Sequence, residues 1–219
     1  MLINNTVLHN MFLYVAEIWQ ENTTLLGDID ARFGDGDHGV TIGKISREIV
    51  KNVEDNGANG ICEFIEGLSD SILFISGGSA APLYGTLIGG LAKPLNGETE
   101  IDGKLLKKML QSSYDEMTAI TKARVGDKTM MDALIPAVES VQTASDDILD
   151  TLKTAAVASK AGADSTQNIA SKFGRARSYG DKTIGTCDAG AVSTSLFFQG
   201  LYEGFVKQKN HFNKEDSKI

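Results

Sequence analysis

Apolar residues recur every three or four positions along most of this chain and hardly ever alternate. Leu8, Met11, Val15, Ile18 and Trp19 form one such series, and Ile61, Phe64, Ile65, Leu68, Ile72 and Ile75 a second. Leu105, Leu106, Met109, Leu110, Met117 and Ile120 form a third. A period near 3.6 gathers side chains on one face of a helix, whereas a half-buried strand needs a period of two. Each series is therefore the buried stripe of an amphipathic helix. Dividing the chain at its glycine and aspartate breaks predicts helices over 3–22, 40–56, 60–76, 80–93, 102–122, 128–144, 146–171 and 188–208, with no strand. The expected fold class is all-α. Pro82 falls in a first turn, where a missing N–H costs little, but Pro136 should kink the sixth helix. The polar tail 207–219 is expected to fray. With no repeat and no sharp change in composition, 1–219 reads as a single domain.

A formal charge of -8 and a pI near 4.9 disfavour nucleic acid and anionic membranes as partners, because an acidic surface repels both. A polyanionic ligand would need the help of metal ions. Cys62 and Cys187 are too few for a disulfide framework and lie in no CxxC pair, so both read as ordinary thiols. No apolar run approaches the ~20 residues of a membrane span, and Met1 to Asn10 lacks the pattern of a secretion signal. A cytoplasmic location is the expectation.

The unusual chemistry sits between the helices, in Gly34-Asp-Gly-Asp-His-Gly39, Ser76 to Thr86, Gly126-Asp-Lys-Thr-Met130, and Gly174-Arg-Ala176 leading to Asp188-Ala-Gly190. Several of these stretches open a helix, whose free N–H groups and positive dipole end favour an anion such as phosphate. Gly34, Gly36 and Gly39 match the letters of a dinucleotide fingerprint, but the preceding Ile29-Asp-Ala-Arg-Phe33 is no buried strand, and Asp35 and Asp37 would repel a bare pyrophosphate. Gly39 to Lys44 falls one residue short of a Walker A loop and puts Ile45 where Ser or Thr is needed. An EF-hand reading fails as well, since Gly39 occupies its third ligand position.

What remains is Asp30, Asp35 and Asp37 among three glycines. Asp35, five positions from Asp30 and two from Asp37, would point away from both on a helix, so only a turn brings these carboxylates together. Converging without a cation they would repel and raise one another's pKa, whereas hard oxygen donors are what magnesium binds. Two divalent ions on three carboxylates would leave a charge of about +1, attractive to phosphates. The alternative, solvent-exposed loop-capping aspartates, stays open on spacing alone.

Asp30-Ala-Arg-Phe-Gly-Asp-Gly-Asp-His-Gly39 resembles the metal loop of dihydroxyacetone kinase L subunits, D-x-x-x-G-D-x-D-H-G. Three further stretches agree in order and spacing. These are Gly77-Gly78 with Pro82-Leu-Tyr-Gly-Thr86; Gly126 to Met130 with Asp132 and Pro136; and Gly174-Arg-Ala176 with Ile184-Gly185 and Asp188-x-Gly190-Ala191. The resemblance implies a barrel of eight antiparallel helices with nucleotide and metal bound in loops at one end. It implies two Mg2+ ions on Asp30, Asp35 and Asp37 that anchor the phosphates of ADP or ATP. His38, Gly39, Val40 and Thr41, with Ser79 and Ala80, would contact phosphates; Thr121, Met130, Arg175, Asp188, Ala189 and Gly190 would line the rest of the pocket. No residue is assigned as a catalytic nucleophile.

The chemistry of these side chains allows such roles beside blander ones. Arg175 offers a bidentate fork or a surface ion pair, Met130 a purine face or a core position, and His38 a phosphate donor or a helix cap. His9 and His211 read as structural or exposed. Ala80 and Ala81 replace the usual serine and glycine, Thr41 a common asparagine, and Ala189 a usual proline. These departures suggest a paralogue acting on a different short-chain ketose. The implied activity is phosphoryl transfer to dihydroxyacetone or a related hydroxyketone. It requires a K-type substrate subunit, and the resemblance points to a phosphotransferase-system M-type donor, with free ATP as donor and a homodimer both left open. The alternatives are an ATP-dependent kinase of the same family for another small ketose and a nucleotide-loaded regulatory module that transfers nothing. The fatty acid kinase nucleotide domain is disfavoured, because its loop usually reads G-D-G-D-T-G.

Overall fold

A computed structural model of the chain describes residues 1–56, 59–76 and 78–216. Its elements are β1 (Ile3–Asn4), α1 (Asn5–Glu21), α2 (Thr23–Asp30), α3 (His38–Asn56), α4 (Ile61–Leu73), α5 (Ala80–Ala92), β2 (Glu100–Ile101), α6 (Gly103–Ile120), α7 (Met131–Gln142), α8 (Ile148–Ser165) and α9 (Ala189–Asp216). The fold is predominantly helical, as the periodicity predicts. Each of the eight expected spans contains a helix. The chain capping explains several starts: Asn4 accepts from the Val7 N–H, Asp102 from that of Leu105 and Asp147 from that of Asp150.

Four expectations are corrected. A ninth helix, α2, occupies a stretch read as loop; Leu26 is its one buried residue, too little to make a stripe. It is separate from α1 because Asn22 folds back, its side-chain amide donating to the Ile18 carbonyl at 2.8 Å. β1 and β2 pair antiparallel, Ile3 opposite Ile101, and two-residue strands are too short for alternation to show. α8 ends at Ser165, and residues 166–171 leave the α-helix. The last helix runs beyond its expected end at 208. α9 continues to Asp216, with Lys207 Nζ 3.9 Å from the Tyr14 ring centroid of α1; residues 217–219 lie outside the described residues. Pro136 sits inside α7, which still runs on to Gln142. The Asp132 carbonyl, which the proline cannot serve, faces Gly162 of α8.

The helices pack in succession: α1 on α3, α3 on α4, α4 on α5, α5 on α6, α6 on α7, α7 on α8, α8 on α9, and α9 back on α1. α2 lies against α3 and α9. At the centre, Trp19 stacks on Phe197 at 5.8 Å and meets Tyr84 edge-on at 4.9 Å, and its indole N–H donates to the Ser193 carbonyl at 2.8 Å. This burial of large rings anchors α1, α5 and α9 to one another. Among the described residues, no helix is long and apolar enough to cross a membrane.

His9 lies in this core, tilted over Phe64 at 4.2 Å, and its Nε2 has no hydrogen-bond partner. Burial lowers its pKa from the ordinary 6.5. Below that value the unfolded chain takes a proton that folded His9 resists, so stability falls as pH drops. Urea midpoints measured at about pH 7.5 and about pH 5.5 should converge in a His9→Phe variant relative to the native chain.

Candidate functional site

Asp30 is the last residue of α2, Asp35 and Asp37 lie in the turn that follows, and His38 opens α3. The turn closes on Asp30, whose carbonyl accepts from the N–H of Phe33 at 3.1 Å and of Gly34 at 2.7 Å. Gly36 completes it with φ +75°, a conformation that costs a side-chain-bearing residue. One carboxylate oxygen from each aspartate then falls within 4.8 Å of the other two. Asp30 Oδ2 is buried and has no hydrogen-bond partner. Asp37 is held above the usual carboxylate range, first by burial and then by the charges of Asp35 and Asp30, with Arg175 opposing. An orphaned buried oxygen beside two further hard donors fits a divalent cation such as magnesium.

The cluster opens into a cavity of about 710 Å3, within the range of small-molecule sites. The first residues of four helices line it: His38 of α3, Ala80 of α5, Met131 of α7 and Ala189 of α9. The positive dipole ends of these helices thus meet around three carboxylates, an arrangement suited to an anion bridged by metal. Gly78 brings the loop before α5 against the metal turn; a Cβ there would stand 2.8 Å from Thr41 Oγ1 and 3.3 Å from Asp37 Oδ2. Ser79 makes no capping bond with its side chain, leaving its hydroxyl available. Gly77 lies outside the described residues.

Of the residues anticipated from the sequence, the cavity collects Asp30, Asp35, Asp37, His38, Ser79, Ala80, Thr121, Met130, Arg175, Asp188, Ala189 and Gly190. Gly39, Val40 and Thr41 do not line it. Helical rotation turns Val40 outward, 61% exposed, and packs Gly39 against α2, where a Cβ would run into the Thr23 carbonyl. Thr41 is buried beside Gly78. Arg175 crosses the mouth to form an ion pair with Asp35. Both side chains are exposed, so the pair is weak and readily exchanged for another anion.

His38 Nε2 lies 2.8 Å from Ser193 Oγ, which is also 2.7 Å from the Tyr84 hydroxyl. Burial pushes its pKa down to about 4 against the pull of Asp30, so the ring is neutral at pH 7. It ties α3 to α9 and brings no positive charge to the cavity. Asp188 caps α9, its Oδ2 accepting from the Ala191 N–H at 2.8 Å, and burial raises its pKa to about 7, helped by Asp132. Met130 is buried at the start of α7 beside Gly190. Phe33, Leu83, Lys128 and Phe173 also line the cavity. Phe33 and Phe173 each stand before a motif glycine and Lys128 lies inside Gly126 to Met130, which were the available signals.

The family model described as the DAK2 domain matches residues 32–203. An ADP-binding subunit DhaL of a PEP-dependent dihydroxyacetone kinase from Listeria innocua is 32% identical, over 88% of this chain and 90% of its own. The corresponding subunit from Escherichia coli is 27% identical, over 92% and 97%. The chain has the fold of part of the dihydroxyacetone kinase of C. freundii, solved in complex with AMP-PNP and Mg2+, with a TM-score of 0.69 and 24% identity. That match covers 93% of this chain and 34% of the other.

The contact between α2 and α3 sets where Asp30 stands relative to Asp37. Gly39→Ala should cost about 1–3 kcal/mol, because the obstructing atom is a backbone carbonyl, and should weaken magnesium binding in parallel. Thermal unfolding with and without magnesium checks both effects.

Proposed function

The chain belongs to the DAK2 domain family, and on that premise we propose that it is the ADP/ATP-Mg-binding subunit of a phosphotransferase acting on dihydroxyacetone or a related short-chain hydroxyketone. The observation that carries this reading is the aspartate cluster with its orphaned oxygen, ringed by four helix starts in one cavity. Asp30, Asp35 and Asp37 would hold two magnesium ions, which when bound neutralise the charge of nucleotide phosphates. The chain itself would orient the nucleotide. Ser79 and the N–H groups at the start of α5 face the phosphates, the exposed Arg175 fork exchanges Asp35 for a phosphate oxygen, and Met130, Thr121 and the turn from Asp188 to Gly190 enclose the remainder. Phosphoryl transfer demands mainly positioning and charge neutralisation, and no protein nucleophile is needed.

In this reading the eight long helices close as an antiparallel barrel with the nucleotide at one end. Support comes from the packing of the first helix on the last and from the alternate helices α3, α5, α7 and α9 all beginning at the cavity. The substrate is presented by a K-type subunit, and an M-type phosphotransferase-system protein rephosphorylates the nucleotide. The relatives bearing the ADP-binding subunit name, which this chain matches nearly end to end, support that division of labour.

Two measurements test the proposal. Calorimetry with magnesium should show ADP binding to the native chain and its loss in Asp35→Ala, with the helical circular dichroism unchanged; unaltered affinity would refute the metal assignment. The purified chain given ATP and dihydroxyacetone should show no turnover until K-type and M-type partners are added. Robust turnover by the chain alone would instead identify a self-contained ATP-dependent kinase.

A further inference from the structure

The outer wall of the cavity, carrying Phe173, Arg175 and Cys187, belongs to the segment between α8 and α9. Across 166–188 the fully buried residues are Thr166, Ser171 and Thr183, all hydroxyl-bearing, so no apolar side chain anchors this wall in the core. Its anchor is Lys128. The Lys128 side chain enters the segment from the α6–α7 connection, and its Nζ donates to the carbonyls of Thr166, Ile169, Thr183 and Thr186 at 2.5–3.1 Å. Three N–H groups serve four oxygens, so at least one is shared. Lys128 is 4% exposed and, among the described residues, is the one non-glycine with positive φ, at 60°. Asp132 holds this strained turn in place, accepting from the N–H of Gly126 at 2.6 Å and of Thr129 at 2.7 Å.

We propose that Lys128 is a positioning residue for nucleotide binding: its ammonium, caged by four carbonyls, does for the 166–186 wall what a bound structural cation does elsewhere. The cage ties both ends of the segment to one point and thereby sets how Arg175 reaches over the aspartate cluster. Removing the ammonium leaves four carbonyls without their donor, and the ties that remain, Tyr179 on Phe33 at 5.3 Å and Lys172 to Asp127 at 3.1 Å, are made by exposed side chains of the wall. This inference rests on the reading of the cavity as a nucleotide site only for its effect on affinity; the anchoring itself is read without nucleotide.

The test uses Lys128→Met, which keeps the stem and removes the charge, and Lys128→Ala, which opens the cage. In both, amide hydrogen exchange over 166–188 should rise sharply in the nucleotide-free protein while α1 and α4 stay protected, and ADP-Mg affinity should fall about tenfold. n-Propylammonium, the fragment deleted in Lys128→Ala, should recover at least about threefold of that loss, and n-propanol should not. Unchanged exchange over 166–188, or equal rescue by propanol, overturns the proposal, the latter by assigning the effect to the stem alone. If both variants fail to fold, the native chain decides. A slowly exchanging Lys128 ammonium signal in 15N NMR supports the cage, and an ammonium exchanging at the rate of surface lysines overturns it. Failure of the native chain to bind ADP would sink the nucleotide reading and leave the exchange result standing.

Discussion

Three carboxylates held within 4.8 Å of one another are a standing electrostatic cost, and the architecture around them is arranged to sustain it. Asp30 is fixed by the end of α2, Asp37 by the start of α3, and the close fit of Gly39 against Thr23 locks these two helices together. The four helix starts directed at the same cavity offset part of the negative potential there before any cation arrives. Burial of one oxygen of Asp30 without a partner leaves a demand that a divalent ion can meet.

Behind the cluster lies a polar seam rather than an apolar one. His38, Ser193, Tyr84 and Thr194 join α3, α5 and α9 through hydrogen bonds of 2.7–3.0 Å, and the Trp19 indole closes the same seam from α1. Each group in it is satisfied, and a satisfied buried network rigidifies the elements it spans. The opposite wall is built differently. Buried hydroxyls and the carbonyl cage around Lys128 hold the 166–186 segment, and the exposed Arg175 to Asp35 pair merely spans its edge. The cavity therefore has a rigid inner face and an outer face held mainly by polar bonds, those of Lys128 foremost.

The buried charges nearby are mutually dependent. Lys128, Asp132 and Asp188 lie close enough to influence one another: burial lowers the Lys128 pKa while Asp188 and Asp132 support its charge, and burial raises Asp188 against the bond from Ala191. A lysine serving four carbonyls needs these acids less as ion-pair partners than as counter-charge, which spares them for capping α9 and the turn before α7.

The sequence by itself determined the helical class, the eight main helices and the aspartate turn, because a 3.6-residue apolar period and a run of glycines among carboxylates are local properties that need no distant partner. It left α2 unread, since a helix with Leu26 as its one buried residue has no stripe, and it ended α9 too early, since the ring of Tyr14 that receives Lys207 lies on the first helix. Only the tertiary structure decided which motif residues face the cavity. Helical rotation sends His38 inward and Val40 outward within two residues, and it sets the Cα of Gly39 close against α2. Lys128 was visible as a letter in a motif, but its four partners come from residues 38 to 58 positions further along the chain. Such convergence is set by how α7, α8 and α9 pack, and no local period records it.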